Sequence, residues 1–191
     1  MNTMLRFRFK GSRNYVQGPD IFNALLQAHM NTKLENIDVR FNGVVTSNLL
    51  LLPKDAQGDV KVHISWDENG KESQYKLIES ADPVEERYEY DEQAVVDRVS
   101  LDLNNKTARL IERTPYTFCE NLVAMNKFLL QSLFPEENGK WYFTRLELDK
   151  VISDEELFHI RLVKNLGFRL TKSEIHVGDQ KVGNIYFSMV K

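Results

Sequence analysis

Residues 24–28 read Ala24-Leu25-Leu26-Gln27-Ala28, and residues 128–132 read Phe128-Leu129-Leu130-Gln131-Ser132. Each quintet sits in a stretch whose apolar residues recur at helical spacing. In the first these are Ile21, Phe22, Leu25 and Leu26, with His29 on the same face; in the second they are Leu122, Met125, Leu129 and Leu133. Leu and Gln are common helix formers, so the match alone carries little weight. The flanks decide. Before the first helix Leu5, Phe7 and Phe9 alternate with Arg6, Arg8 and Lys10, which predicts a half-buried strand with a cationic outer face. Residues 11–18 read as a loop, and Pro19-Asp20 starts the helix. Val39, Phe41 and Val44-Val45 then suggest a strand, which Leu49 to Leu52 extend. Val60 to Trp66 alternates into the turn Asp67-Glu68-Asn69-Gly70, and Tyr75 and Leu77 mark the return.

The same order follows a second time. Residues 79–97 carry many carboxylates and Pro83 and read as a solvated connector, with Tyr88 and Tyr90 as an alternative edge strand. Val99, Leu101 and Leu103 alternate, Asn104-Asn105-Lys106 turns, and Ala108, Leu110 and Ile111 return. A helix is predicted from about Thr117 to Leu133, ended by Pro135 and Gly139. Strands follow at Trp141 to Leu148, His159 to Val163, Phe168 to Val177 and Val182 to Met189, the last two joined by Gly178-Asp179-Gln180. Val62-His63-Ile64 and Phe158-His159-Ile160 recur at similar places. Self-similarity of this kind predicts a duplicated structural unit. The expected organisation is one unit over 1–80, an acidic connector over 81–97 and a second unit over 98–191.

Composition limits the classes of function. The chain has 191 residues, 42% hydrophobic and 28% charged, with a formal net charge of -3. This is the balance of an ordinary globular protein and gives no support for a nucleic-acid or anionic-membrane partner. Cys119 is the single cysteine, so no internal disulfide forms. The start, MNTMLRFRFKG, has no continuous apolar core and does not read as a signal peptide. Leu49-Leu50-Leu51-Leu52, the longest leucine run, is far short of the roughly 20 residues that span a bilayer. The expected setting is cytosolic, with no membrane association.

The strand–helix–strands order of the second half resembles the hot-dog fold superfamily of thioesterases, dehydratases and hydratases that act on acyl-CoA or acyl-carrier-protein thioesters. The resemblance lies in Tyr142 to Leu148, the acidic link Ser153-Asp154-Glu155-Glu156-Leu157, His159 to Val163, Gly167 to Val177 and Lys181 to Phe187. The first half looks like a degenerate copy. The resemblance implies an α+β fold of two tandem hot-dog-like units, each an antiparallel sheet wrapped around a central helix. It also implies binding of acyl-CoA or acyl-carrier protein, with hydrolysis or dehydration of the acyl group if the chain is an enzyme. A non-catalytic binding or assembly protein is the alternative. Self-association into a homo-oligomer is left open.

In hot-dog enzymes the working groups sit on the loop before the central helix or in its first turns, where the helix dipole polarises a thioester carbonyl. Carried onto this chain, that places Asn14, Tyr15, Gln17 and Asp20 in one zone, and Tyr116, Thr117, Cys119, Glu120 and Asn121 in the other. Glu120 and Asp20 are the catalytic candidates, as carboxylates able to serve as base or nucleophile. Asn14, Tyr15, Gln17, Tyr116, Thr117 and Asn121 are the ligand-binding candidates. Each acid also has a plainer reading: Glu120 stabilises the helix dipole, and Asp20 caps its helix. Cys119 lacks a Cys-His pattern and reads as a packing residue. His29, His63, His159 and His176 are dispersed and form no metal-binding pattern, so neither metal nor cofactor is expected. The chain departs from the family in lacking a His- and Asn-rich loop before the helix, a His with Gly-Pro, and an Asp followed closely by His. Gly18-Pro19-Asp20 is a faint echo.

Overall fold

Asn69 and Gly70 both adopt positive φ, 51° and 85°, so the chain reverses in two residues between its longest pair of neighbouring strands in the first half. The computed structural model describes residues 3–191; Met1 and Asn2, the start of the stretch read above as no signal peptide, lie outside the described residues. The chain divides into two compact units, Met1–Tyr90 and Asp91–Lys191.

The first unit runs β1 (Thr3–Leu5), β2 (Phe9–Lys10), α1 (Gly18–Ala28), β3 (Leu34–Phe41), β4 (Ser47–Pro53), β5 (Val60–Glu68), β6 (Lys71–Pro83) and β7 (Arg87–Tyr88). Its antiparallel sheet has the order β1-β4-β6-β5-β3, and β2 pairs separately with β7, in parallel. Val62, Ile64 and Trp66 on β5 alternate inward and are 2% exposed or less, as are Ile21, Phe22 and Leu25 of α1. Each such side chain contributes roughly 1.5–3 kcal/mol by leaving water. The strand expected over residues 5–10 is broken in the middle. Asn48 Oδ1 accepts the Phe7 amide at 2.8 Å, and Phe9 donates to the Glu86 carbonyl at 2.9 Å, so these amides leave the line of β1. The break also overturns the cationic outer face: Arg6 and Arg8 are exposed, but Lys10 is buried, 3% exposed.

The second unit runs α2 (Gln93–Val96), β8 (Val99–Asp102), β9 (Thr107–Leu110), α3 (Phe118–Leu133), β10 (Lys140–Lys150), β11 (His159–Asn165), β12 (Thr171–Val177) and β13 (Gln180–Val190). Its sheet order is β10-β13-β12-β11-β9-β8, again antiparallel. Leu122, Met125, Leu129 and Leu130 of α3 are wholly buried. Gly183 lets β13 approach β10, since a Cβ there would lie 2.1 Å from the Glu147 carbonyl oxygen.

In each unit one long helix is preceded and followed in sequence by strands, yet the strand orders differ. In the first unit the hairpin β5–β6 sets its second strand beside β4; in the second, β12–β13 sets its first strand beside β11. The links differ in path, not in length. Residues 54–59 pass across β6, whereas residues 166–170 fold back on themselves, closed by Leu166 N–H to the Leu170 carbonyl at 2.9 Å. The Val-His-Ile echo is therefore not a correspondence: His63 lies on the third strand after α1 and His159 on the second after α3. Residues 81–97 are also ordered in part, holding the end of β6, all of β7 and α2.

Candidate functional site

Arg87 organises the approach to α1. Its Nη1 donates to the carbonyls of Gly11 (2.9 Å) and Arg13 (2.6 Å), and its Nη2 to Asn14 Oδ1 (2.6 Å). Asn14 thus holds the loop, and Tyr15 beside it is half-buried. Gln17, in an extended conformation, is the N-cap of α1, but no side chain caps the helix there. Its Nε2 is buried without a hydrogen-bond partner among the described residues.

Asp20 is the third residue of α1 and so not its cap, which corrects the plainer reading. Its carboxylate instead turns to β2 and β7: Tyr88 OH donates to Oδ1 at 2.7 Å, and Lys10 Nζ lies 3.4 Å from the same oxygen. Lys10 is also 4.1 Å from the centre of the Tyr90 ring and 5.6 Å from that of Tyr88. A carboxylate, an ammonium and a phenol thus meet at the positive end of a helix, where burial strengthens each attraction relative to water. Lys10, Tyr88 and Tyr90 escaped the sequence reading as site residues. Their one visible signal is the Tyr-x-Tyr spacing.

The start of α3 is built differently. Thr117 is its N-cap and forms a capping box with Glu120: Thr117 N donates to Glu120 Oε2 (3.0 Å), and Glu120 N donates to Thr117 Oγ1 (3.3 Å). The Phe118 amide donates to Asp154 Oδ1 at 2.6 Å. Asn121, 1% exposed, donates from Nδ2 to the Tyr116 carbonyl (3.2 Å) and accepts from Thr114 Oγ1 (2.7 Å), while Tyr116 OH accepts the Asp91 amide (3.2 Å). The candidates of this zone are brought together, and these bonds hold the turn. Further along α3, Asn126 is fully buried with neither side-chain amide atom partnered among the described residues. Cys119 is buried.

The histidines stand apart. His29 Nδ1 lies 2.9 Å from the Leu25 carbonyl, its ring 4.8 Å from that of Trp66, and its Nε2 3.6 Å from Glu68. Burial pushes the Glu68 carboxyl up, but donors from Trp66 (2.7 Å) and Tyr75 (2.9 Å) outweigh it and hold it below the usual range. His159 stacks on His176 at 4.9 Å and is pushed down by burial, then by His176, Arg109 and Arg161. Among the described residues no three His, Cys, Asp or Glu side chains are grouped to hold a metal ion, and no helix is long and apolar enough to cross a membrane.

One helix set against an antiparallel sheet, twice in one chain, defines a double hot dog, and comparison with solved structures gives the same fold. The chain is similar to the tesB protein of Mycobacterium avium subspecies paratuberculosis, with a TM-score of 0.55 and 9% identity over 100% of this chain and 93% of that one. It is similar to the dehydratase domain of PpsC from Mycobacterium tuberculosis, solved in complex with C12:1-CoA, with a TM-score of 0.52 and 9% identity over 99% and 92%. A conserved hot-dog-fold protein of unknown function from Alicyclobacillus acidocaldarius matches with a TM-score of 0.51 and 9% identity over 100% and 92%. No protein-family model matches the chain, and no curated protein matches it in sequence.

Proposed function

We propose that this protein binds acyl thioesters, as acyl-CoA or acyl-carrier protein, and hydrolyses them at the start of α1. The observation that carries this reading is the meeting of Asp20, Lys10 and Tyr88 at a helix end that has no side-chain cap. In the proposed reaction Asp20 takes a proton from water, and the water oxygen bonds to the thioester carbonyl carbon. The carbon–sulfur bond then breaks, the leaving sulfur takes back the proton held by Asp20, and a carboxylic acid and a thiol result. Lys10 and the helix end offset the negative charge that develops on the carbonyl oxygen. Asn14, Tyr15 and Gln17 shape the adjoining loop. At α3, Tyr116, Thr117 and Asn121 support the turn, and Glu120 serves as the box partner of Thr117.

A second reading, binding without turnover, is favoured by the engagement of Asp20 with Tyr88 and Lys10. Thiol release from a panel of acyl-CoA substrates separates the two. Asp20→Asn keeps an acceptor for Tyr88, and it is expected to lower turnover by at least about 100-fold, the contribution of a positioned base. Glu120→Gln is expected to stay within about twofold of the parent. Equal turnover by Asp20→Asn and the parent would sink the hydrolytic assignment; binding with no turnover in the parent would select the second reading.

A further inference from the structure

The sheet of the first unit carries a polar face opposite its apolar rows. Val39, Val62, Ile64 and Leu77 point into the core. At the intervening positions Arg40 pairs across strands with His63, and His63 with Lys76, while Ser65 pairs with Gln74 in the next row. Residues 54–59, crossing from β4 to β5, bring Lys54 to the same place. The result is a half-open cavity of about 330 Å³ lined by Arg40, Lys54, His63, Ser65, Gln74 and Lys76.

Its charge is one-sided. Three permanent cations and a histidine line it, and no acidic side chain does. One of these cations is already paired with a carboxylate and keeps a spare donor. Asp38 takes Nε and Nη2 of Arg40, at 3.1 and 2.6 Å, and leaves Nη1. Glu72 accepts from Gln74 at 2.5 Å. Lys76 gives one of its three donors to the Ala56 carbonyl at 3.3 Å. In the second unit one carboxylate serves two outward cations: Glu174 accepts from Arg161 at 3.0 Å and Lys181 at 3.1 Å.

We propose that the Arg40–His63–Lys76 cavity is a binding site for the phosphate group of a small phosphorylated molecule. An anion seated there receives donors from Arg40 Nη1, Lys54, Lys76 and the Ser65 hydroxyl. The volume lies at the small end of ligand sites, about 300–1,000 Å³, which fits a phosphate carrying a short organic group. The site lies on the face opposite α1 and does not depend on the acyl-thioester reading.

Calorimetric titration of the full chain with inorganic pyrophosphate and with glucose 6-phosphate tests the proposal at about 50 mM salt. One saturable site is expected, weakened as salt rises to about 200 mM. Arg40→Gln with Lys76→Gln should weaken binding at least about tenfold, and Lys54→Glu should do the same from the loop side. Lys181→Gln, on the second unit, should stay within about twofold. Thermal melts establish that each variant is folded. Absence of saturable binding by either phosphate compound, an equal loss in Lys181→Gln, or equal affinity for citrate would overturn the assignment.

Discussion

Glu174 carries the clearest electrostatic signature of any side chain here. Hydrogen bonds from Arg161 outweigh its partial burial, and with those from Lys181 and His176 they bring its pKa from the usual 4.5 to about 2. A carboxyl held low in the folded state contributes stability above its unfolded pKa and loses it as pH falls. Glu174→Gln should therefore be less stable than the parent at neutral pH, with the gap closing between about pH 4.5 and pH 2. Urea midpoints of the two proteins followed from neutral to acid pH check this, and a gap that persists at the acid end would refute it. Such pairs are legible in part, because Arg161, Glu174 and Lys181 lie at outward positions of alternating strands. Lys10 was not. Its alternation with Phe9 promised an outward side chain, but period two fixes a face only along an unbroken strand. The chain turns between β1 and β2, and the partners that receive Lys10, Asp20 and Tyr88, are distant in sequence.

At the scale of elements, α3 shows what short-range chemistry can specify. Thr117-x-x-Glu120 places a hydroxyl and a carboxyl at the spacing that satisfies two helix amides, so the predicted start lay within a residue of the observed one. Thr117→Ala should cost about 1–2 kcal/mol in unfolding free energy, while Glu120→Gln, which preserves the box, should cost far less. Denaturant unfolding measures both, and equal losses would remove the capping box as the reason for Glu120. The helix α1 was legible as an amphipathic stretch after Pro19, but the partner of Asp20 was not, because β7 lies in a stretch whose acidity reads as solvated. Strand order was hidden for a different reason. Alternation states which face is buried and says nothing of which strand lies alongside. Two links of nearly equal length, residues 54–59 and 166–170, take different paths and give two strand orders.

At the scale of the whole molecule, a ligand that binds only the folded chain stabilises it, and a buried polar group left without a partner does the reverse. A buried amide with no partner among the described residues costs about 1–3 kcal/mol, so Asn126→Leu, which keeps the branched shape of the side chain, should raise the melting midpoint of the free protein. A thioether analogue of an acyl-CoA, which cannot be hydrolysed, should stabilise the parent by about 2.7 kcal/mol at a hundred times its Kd. For a chain of this size that is a rise of roughly 5–10 °C. In the Asn126→Leu variant the free midpoint is expected to rise, as a buried amide without a partner among the described residues is removed. A protein in which Asn126 bonded water would instead lose stability on substitution, so the sign of the change in the melting midpoint of the free protein decides between them.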